Sequence, residues 1–247
     1  MKLTGNTIFI TGGGSGIGRA LAEEFHRRGN QVIISGRRKS ALEETITANP
    51  GIASIELDVQ DLKSIQNAAQ RLLRDFPSLN VLINNAGIML PDTVDAVQDD
   101  AQLVATVTTN LIGPIRLTSA LIDHLKAQPS ATIIYNTSVL GFTPMALTSV
   151  YSATKAALHS YVLSQRFKLR DSSVSVIELA PPWVRTDLMN SREAEAAMPL
   201  EDFLNEVMQQ LGTDALEILA GNAPHFRNNP GPQEHAFVNH FNATLPF

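Results

Sequence analysis

Short apolar runs alternate with amphipathic segments along almost the whole chain. The runs at 7–10, 32–34, 81–83, 132–134 and 174–179 have the length and β-branched content of strands, with 55–57 and 216–219 as weaker candidates. The first four are apolar without strict alternation, which predicts burial on both faces of a sheet and hence parallel pairing. Between the runs, Ile17, Leu21 and Phe25 share one helical face, as do Ile65, Ala68, Leu72 and Phe76. The alternation predicts an α/β fold, a doubly wound parallel sheet of about seven strands with right-handed crossovers and helices on both faces. No linker, repeat or composition shift divides the chain, and its one Pro-Gly cluster, at 228–232, is late enough to be a surface turn. A single domain over 1–247 is expected.

Directly after the first run comes Thr11-Gly-Gly-Gly-Ser-Gly-Ile-Gly18, and a helix follows at once. Gly12, Gly16 and Gly18 let the chain turn tightly and bring backbone N–H groups and a helix N-terminus against a pyrophosphate. Taken alone, such a turn is also a plain flexible loop; its place between strand and helix favours a dinucleotide. At the end of the second strand an NAD site carries an acidic side chain for the ribose 2′-hydroxyl. Here that place reads Ser35-Gly-Arg-Arg38, without a carboxylate. Guanidinium forks at Arg37 and Arg38 match a phosphate, which favours NADP(H), although either arginine also suits a solvated loop. Asp58, ending the third strand, either accepts from the adenine amine or caps the helix beginning near Asp61. Asn84-Asn-Ala-Gly87 falls at the carboxyl edge of the sheet, where ligands of such folds bind. Asn110 interrupts the long helical segment 103–125 just before Gly113-Pro114. It signals a local hydrogen-bonding task or a kink, or else is an exposed helical amide.

Tyr151 and Lys155 stand four residues apart, so on a helix the phenol and the ammonium share one face. A nearby cation favours a phenolate and would bring the tyrosine toward use as an acid or base near neutral pH. Strand five ends Tyr135-Asn-Thr-Ser138, so a serine hydroxyl can reach the same cleft.

Taken together, Thr11-Gly-x3-Gly-x-Gly18, Asn84-Asn-Ala-Gly87, Asn110, Ser138 and Tyr151-x3-Lys155 resemble the classical short-chain dehydrogenase/reductase family, in order and spacing, over about residues 5–190. The resemblance implies a Rossmann-type fold and hydride transfer between C4 of a nicotinamide and a carbonyl or carbinol carbon. It implies that Tyr151 is the general acid or base, that Lys155 lowers its pKa and bonds the nicotinamide ribose, that Ser138 donates to the substrate oxygen, and that Asn110 holds a water relaying protons to Lys155. By the same resemblance the cofactor contacts are Gly12, Gly14, Ser15, Gly16, Ile17, Gly18, Arg37, Arg38, Asp58, Val59, Asn85, Ala86, Gly87, Tyr151, Lys155, Pro181, Val184 and Thr186. Two departures stand out. Pro182 replaces the family's usual glycine, and the usual glycine-rich turn after strand seven gives way to a polar, turn-rich segment at 222–247 with Phe237, Phe241 and Phe247. Those rings are expected in the core or an interface. A homodimer is the expected assembly, with a homotetramer as the larger alternative.

Composition narrows the classes. A net charge of −5 does not advertise nucleic-acid binding, and the absence of cysteine removes disulfides and thiolate catalysis. The six histidines are scattered, so no metal site is expected. No apolar run approaches a membrane span, and the first strand leaves no space for a signal peptide, so a cytoplasmic location is expected. Residues around 187–212 are expected to form a helical lid over the site. The flanking residues Ile88, Met89, Leu90, Leu140–Leu147, Trp183, Leu188 and Met189 are mostly apolar, with Arg185 and Arg192 the only nearby cations and a solvated surface role expected for each. The expected substrate is a small, mostly apolar ketone or aldehyde or the matching secondary alcohol. The competing readings are a non-catalytic dinucleotide sensor or scaffold and a sugar-nucleotide epimerase, for whose substrate domain the chain has little room.

Overall fold

The computed structural model describes residues 1–228 and 231–245. Seven parallel strands form one sheet: β1 (Thr7–Thr11), β2 (Gln31–Gly36), β3 (Ala53–Glu56), β4 (Leu79–Asn84), β5 (Ala131–Asn136), β6 (Val174–Leu179) and β7 (Glu217–Ile218), in the order β3-β2-β1-β4-β5-β6-β7. Their side chains alternate between two cores. Ile8, Ile10, Val32 and Ile34 enter one, packed under α1 (Gly16–Arg27) and α7 (Leu200–Leu211). Phe9, Ile33, Leu82, Ile133 and Tyr135 enter the other, beneath α3 (Leu62–Asp75), α5 (Gly113–Ala127) and α6 (Ser149–Leu169). Covering both faces is what strands without polar alternation require.

The remaining helices are α2 (Lys39–Ala48), α4 (Asp100–Val107), α8 (Ala223–Arg227) and α9 (Glu234–Ala243). Leu21 and Phe25 of α1 and Ile65, Ala68 and Leu72 of α3 are buried as the periodicity requires, while Phe76 falls just past the end of α3. Asp61 caps α3 by accepting from the Lys63 N–H, and Asp99 caps α4 by accepting from Ala101 and Gln102.

Strand order reverses direction about β1: the chain winds outward to β3, then returns to place β4 on the other side. The crevice at the carboxyl ends of β1 and β4 is therefore the expected ligand site of this architecture. The 103–125 segment is two α-helices joined by a π-helical turn, Thr108–Ile112, which contains Asn110. Insertions of this kind recur at functional sites because they re-aim one side chain without ending the helix. Among the described residues, no helix is long and apolar enough to cross a membrane. Phe247 lies outside the described residues.

Candidate active site

Hydrogen bonds sew the strand ends around the crevice. The Thr11 hydroxyl accepts from the Asn85 and Ala86 N–H groups at 3.0 and 2.9 Å. The Asn85 amide donates to the Thr11 carbonyl at 2.9 Å and accepts from Asn136 at 2.7 Å. β1, β4 and β5 are thereby tied side by side.

The glycine turn is fixed by close approach. A Cβ at Gly18 would lie 2.3 Å from the Gly12 carbonyl oxygen and 2.4 Å from Asn85 Nδ2, so no side chain fits. Gly13, which the sequence pattern did not single out, is equally constrained, since a Cβ there would meet Ile34 at 2.5 Å. The turn opens on a cavity of roughly 310 Å³ lined by Gly12, Gly14, Ser15, Arg37, Arg38 and Val59, with Ala86 and Gly87 at its inner end. Arg38 donates to the Ser15 hydroxyl at 3.1 Å. Asp58 does not cap α3; its carboxylate accepts from the Gln60 N–H at 2.9 Å, one turn earlier in the chain. Ile17 packs against the first core. Thr186 sits over Gly16, the Pro181 carbonyl accepts from Val139 N–H at 3.0 Å, and Val184 bridges to Met198.

The fit to a dinucleotide is tested by the cradle itself. A Cβ on Gly87 would stand 3.3 Å from Asn110 Oδ1 and 3.8 Å from Lys155 Nζ, so the bare backbone there keeps the inner end of the cavity open beside the lysine. The cavity is lined by Arg37 and Arg38 and by Ser15, the N-cap residue of α1. These donors match a phosphorylated dinucleotide.

Tyr151 and Lys155 lie on the buried face of α6. Lys155 Nζ donates to the Asn136 carbonyl at 2.7 Å and stands 5.4 Å from the centroid of the Tyr151 ring. Burial pushes the phenol up to about 12, with the Ser138 hydrogen bond acting in the opposite sense, and pushes the lysine down to about 8. The lowering of the phenol expected from its cationic neighbour is not seen in this geometry: desolvation dominates, and the opposing influence comes from Ser138. Ser138 also accepts from the Leu140 N–H at 3.1 Å, which fixes its side chain at the end of β5. Asn110 is no exposed amide. It is buried, its Oδ1 accepts from the Ile88 N–H at 2.9 Å, and its Nδ2 donates to the Ile88 carbonyl at 2.8 Å and to Thr154 at 3.3 Å.

One buried network was not anticipated. His159, two turns beyond Tyr151 on α6, meets Glu178 at 2.7 Å, and Thr137, the residue before Ser138, donates to the other Glu178 oxygen at 2.7 Å. Glu178 is fully buried in β6 and pairs across the sheet with Glu217, which Arg227 engages through both carboxylate oxygens. His159, Glu178 and Glu217 are close enough to hold a metal ion, but these carboxylate oxygens already accept from Thr137 and Arg227 or face His159. A lone glutamate inside an apolar strand was the available signal. Arg185 is not a solvated cation: its guanidinium donates to the Ala194, Ala197 and Glu195 carbonyls and shapes the segment before α7. Arg192 pairs with Asp187 at the surface.

Comparison with known proteins points to one family. The family model described as short chain dehydrogenase matches residues 6–197. The uncharacterized oxidoreductase DltE of Bacillus subtilis is 39% identical over 88% of this chain and 86% of its own. An NADP-dependent 3-hydroxy acid dehydrogenase of Schizosaccharomyces pombe is 33% identical over 75% of this chain and 74% of its own. A Burkholderia cenocepacia short chain dehydrogenase in complex with NADP superposes with a TM-score of 0.85 at 23% identity, covering 100% of both chains, whereas another neighbour of the same fold holds NAD. The chain belongs to the short-chain dehydrogenase/reductase family and is an oxidoreductase of that family.

Proposed function

We propose that this short-chain dehydrogenase reduces a small, mostly apolar ketone or aldehyde with NADPH, or oxidises the matching secondary alcohol with NADP+, as a cytoplasmic homodimer. The observation that carries the reading is the hydrogen bond between Tyr151 and Ser138 beside an apolar cluster that includes Tyr151, with Lys155 Nζ close to Gly87. A bound nicotinamide supplies the hydride. Tyr151, a neutral phenol at pH 7 with its pKa about 12, holds the proton that the carbonyl oxygen takes up. Ser138 donates to that oxygen as negative charge develops, and a donor aimed there stabilises the transition state in a dry site. Lys155, near 8, is the cation beside the phenol and is poised to exchange protons close to neutral pH. Asn110 anchors Ile88, and its π-helical turn is the proposed seat of the water that returns a proton to Lys155.

Arg37 and Arg38 support NADP(H) over NAD(H), since the end of β2 offers two cations and no carboxylate. Segment 187–212 is proposed as the cover of the site within a single domain. Its 3₁₀ turn, Leu188–Glu193, holds Met189 and Asn190 at φ 55° and 52°, while α7 is anchored in the core through Phe203 and Val207. Leu103 and Val104 on α4 and Leu163 and Phe167 on α6 are exposed apolar side chains that support pairing of two copies through these helices. A 3-hydroxy acid, by analogy with the fission-yeast relative, would need a cation for its carboxylate. Arg185 and Arg227 are engaged by carbonyls and by Glu217, which favours a neutral substrate.

The test is a panel of carbonyls followed by loss of NADPH absorbance. Turnover by the native chain and loss of roughly 10²–10⁴-fold in Tyr151→Phe, with nucleotide affinity kept, is the expected result. Nucleotide binding without turnover of any panel member would favour a dinucleotide sensor instead.

A further inference from the structure

The family match ends at residue 197, yet the chain goes on to build α9, and the sheet does not account for where that helix lies. α9 has no buried residue. Its partly buried side chains form one stripe, of which Phe241, followed by Leu245 just past the helix end, packs with Phe226 of α8 on a cluster made by Val139, Leu140, Met145 and Tyr151. The Phe226 ring meets Phe241 edge-on at 5.4 Å and Phe237 at 6.2 Å. Asn242 sets the register: it accepts from the Ala146 N–H at 2.5 Å and donates to the Pro144 carbonyl at 3.0 Å. Those two backbone groups belong to the loop that runs from Ser138 to Tyr151. α9 thus lays its apolar stripe partly on α8 and partly on the cluster that contains the Tyr151 phenol. Tyr151 is 7% exposed and belongs to the cluster on which Phe241 and Leu245 pack, which puts α9 beside the phenol.

We propose that α9 is the specificity wall of the substrate subsite, and that Phe241, Phe226 and Leu245 receive an aromatic or branched apolar substituent on the carbonyl carbon. The inference rests on the reading of Tyr151 and Ser138 as the pair that addresses the carbonyl oxygen. Phe241, Phe226 and Leu245 are apolar, and the neighbouring Arg227 is engaged by Glu217, so a charged substituent packed on those three would be desolvated without a partner among them. An aryl ring instead gains edge-to-face contact with Phe226 and Phe241 and removes apolar area from water. Asn242 holds the wall at the correct distance from Tyr151 by tying α9 to the 144–146 backbone.

The experiment compares acetophenone with butanone in the full chain and in Phe241→Ala, Phe241→Leu and Asn242→Ala. Two readouts are taken: kcat/KM with NADPH, and binding of each ketone to the NADP+-loaded protein by saturation-transfer NMR, which needs no turnover. In Phe241→Ala the preference for acetophenone over butanone should fall roughly tenfold in both readouts, carried mainly by KM, because a lost apolar contact discriminates on that scale. Phe241→Leu should restore most of it, and Asn242→Ala should weaken it while leaving the apolar stripe chemically intact. Phe241→Ala and Asn242→Ala remove a half-buried ring and two hydrogen bonds, so their thermal midpoints should fall modestly, while NADPH affinity should stay unchanged in all three. An unchanged preference, an equal loss for both ketones, or no acetophenone binding by the native protein would overturn the proposal. Acetophenone binding that responds to Phe241 without turnover would strike only the catalytic reading and leave the subsite standing.

Discussion

Replacing Lys155 with methionine separates what this residue does for the reaction from what it costs the fold. The side chain is buried, and burial brings its pKa from the ordinary 10.5 to about 8. At about 1.4 kcal/mol per pH unit, keeping the ammonium charged inside the protein costs roughly 3 kcal/mol at pH 7, below both values. The unfolded chain holds this proton up to 10.5, and the folded chain releases it near 8. Between those values the unfolded state binds more protons, so the lysine makes stability rise with pH. Tyr151 shifts the other way, from 10.0 to about 12, and its contribution is lost only as pH climbs through that higher range. The window from 8 to 10 therefore reports the lysine. Urea unfolding of the native protein and of Lys155→Met at pH 7 and pH 10 gives the test. The native protein should gain roughly 2 kcal/mol more than the variant across that interval. Methionine also leaves the Asn136 carbonyl without its 2.7 Å donor, a loss of about 1–3 kcal/mol that partly offsets the gain at pH 7 but does not change the pH slope. Reduction should fall roughly 10²–10⁴-fold in the same variant. Identical pH slopes in the two proteins would refute the buried, charged lysine.

The other predictions concern the cradle and its support. Arg37→Ala should raise KM for NADPH roughly tenfold or more and leave KM for NADH nearly unchanged; equal losses would remove the phosphate assignment. Gly18→Ala should abolish nucleotide binding or folding, since its methyl would lie 2.3 Å from the Gly12 carbonyl oxygen, and native affinity measured by fluorescence titration would contradict that. Glu178→Ala should cost roughly 1–3 kcal/mol in chemical denaturation by removing the buried acceptor that Thr137 and His159 share, and Glu178→Gln should recover part of it. Reduction by the native enzyme should decline as pH rises through about 8, where Lys155 loses its proton; a rate flat to pH 10 would contradict this.

The strands were legible because a two-sided sheet leaves the strongest imprint on a sequence: uninterrupted Ile, Val and Leu. β6 spans the very residues that its apolar run marks out, and β7, short and at the sheet edge, was the faintest. The glycine turn, Ser138 and Tyr151-x3-Lys155 were legible as motifs because backbone approach and side-chain stacking fix their spacing. Three things were not. Asn110 stood out as a hydrogen-bonding interruption of its helix, but the π-helical turn that carries it did not, since no residue pattern distinguishes one extra backbone residue per turn from an ordinary helix. The raised phenol depends on burial, which exceeds the opposing Ser138 hydrogen bond and is a property of the packed site rather than of the Tyr-Lys spacing. Glu178 and His159 are nineteen residues apart, and only the pairing of β5 with β6 and the packing of α6 over them bring the two together. Phe241, expected in a core or interface, packs half-buried on the core cluster that contains Tyr151, because Asn242 holds α9 against the loop before α6.

The most direct test of the account uses NADPH carrying deuterium at its transferable C4 position. Incubated with acetophenone and the native protein, it should deliver deuterium to the carbinol carbon of the product, and Tyr151→Phe should bind the same nucleotide with little transfer. Undiminished transfer by Tyr151→Phe, or tight NADPH binding by the native chain with no deuterium on any carbonyl tested, would contradict it.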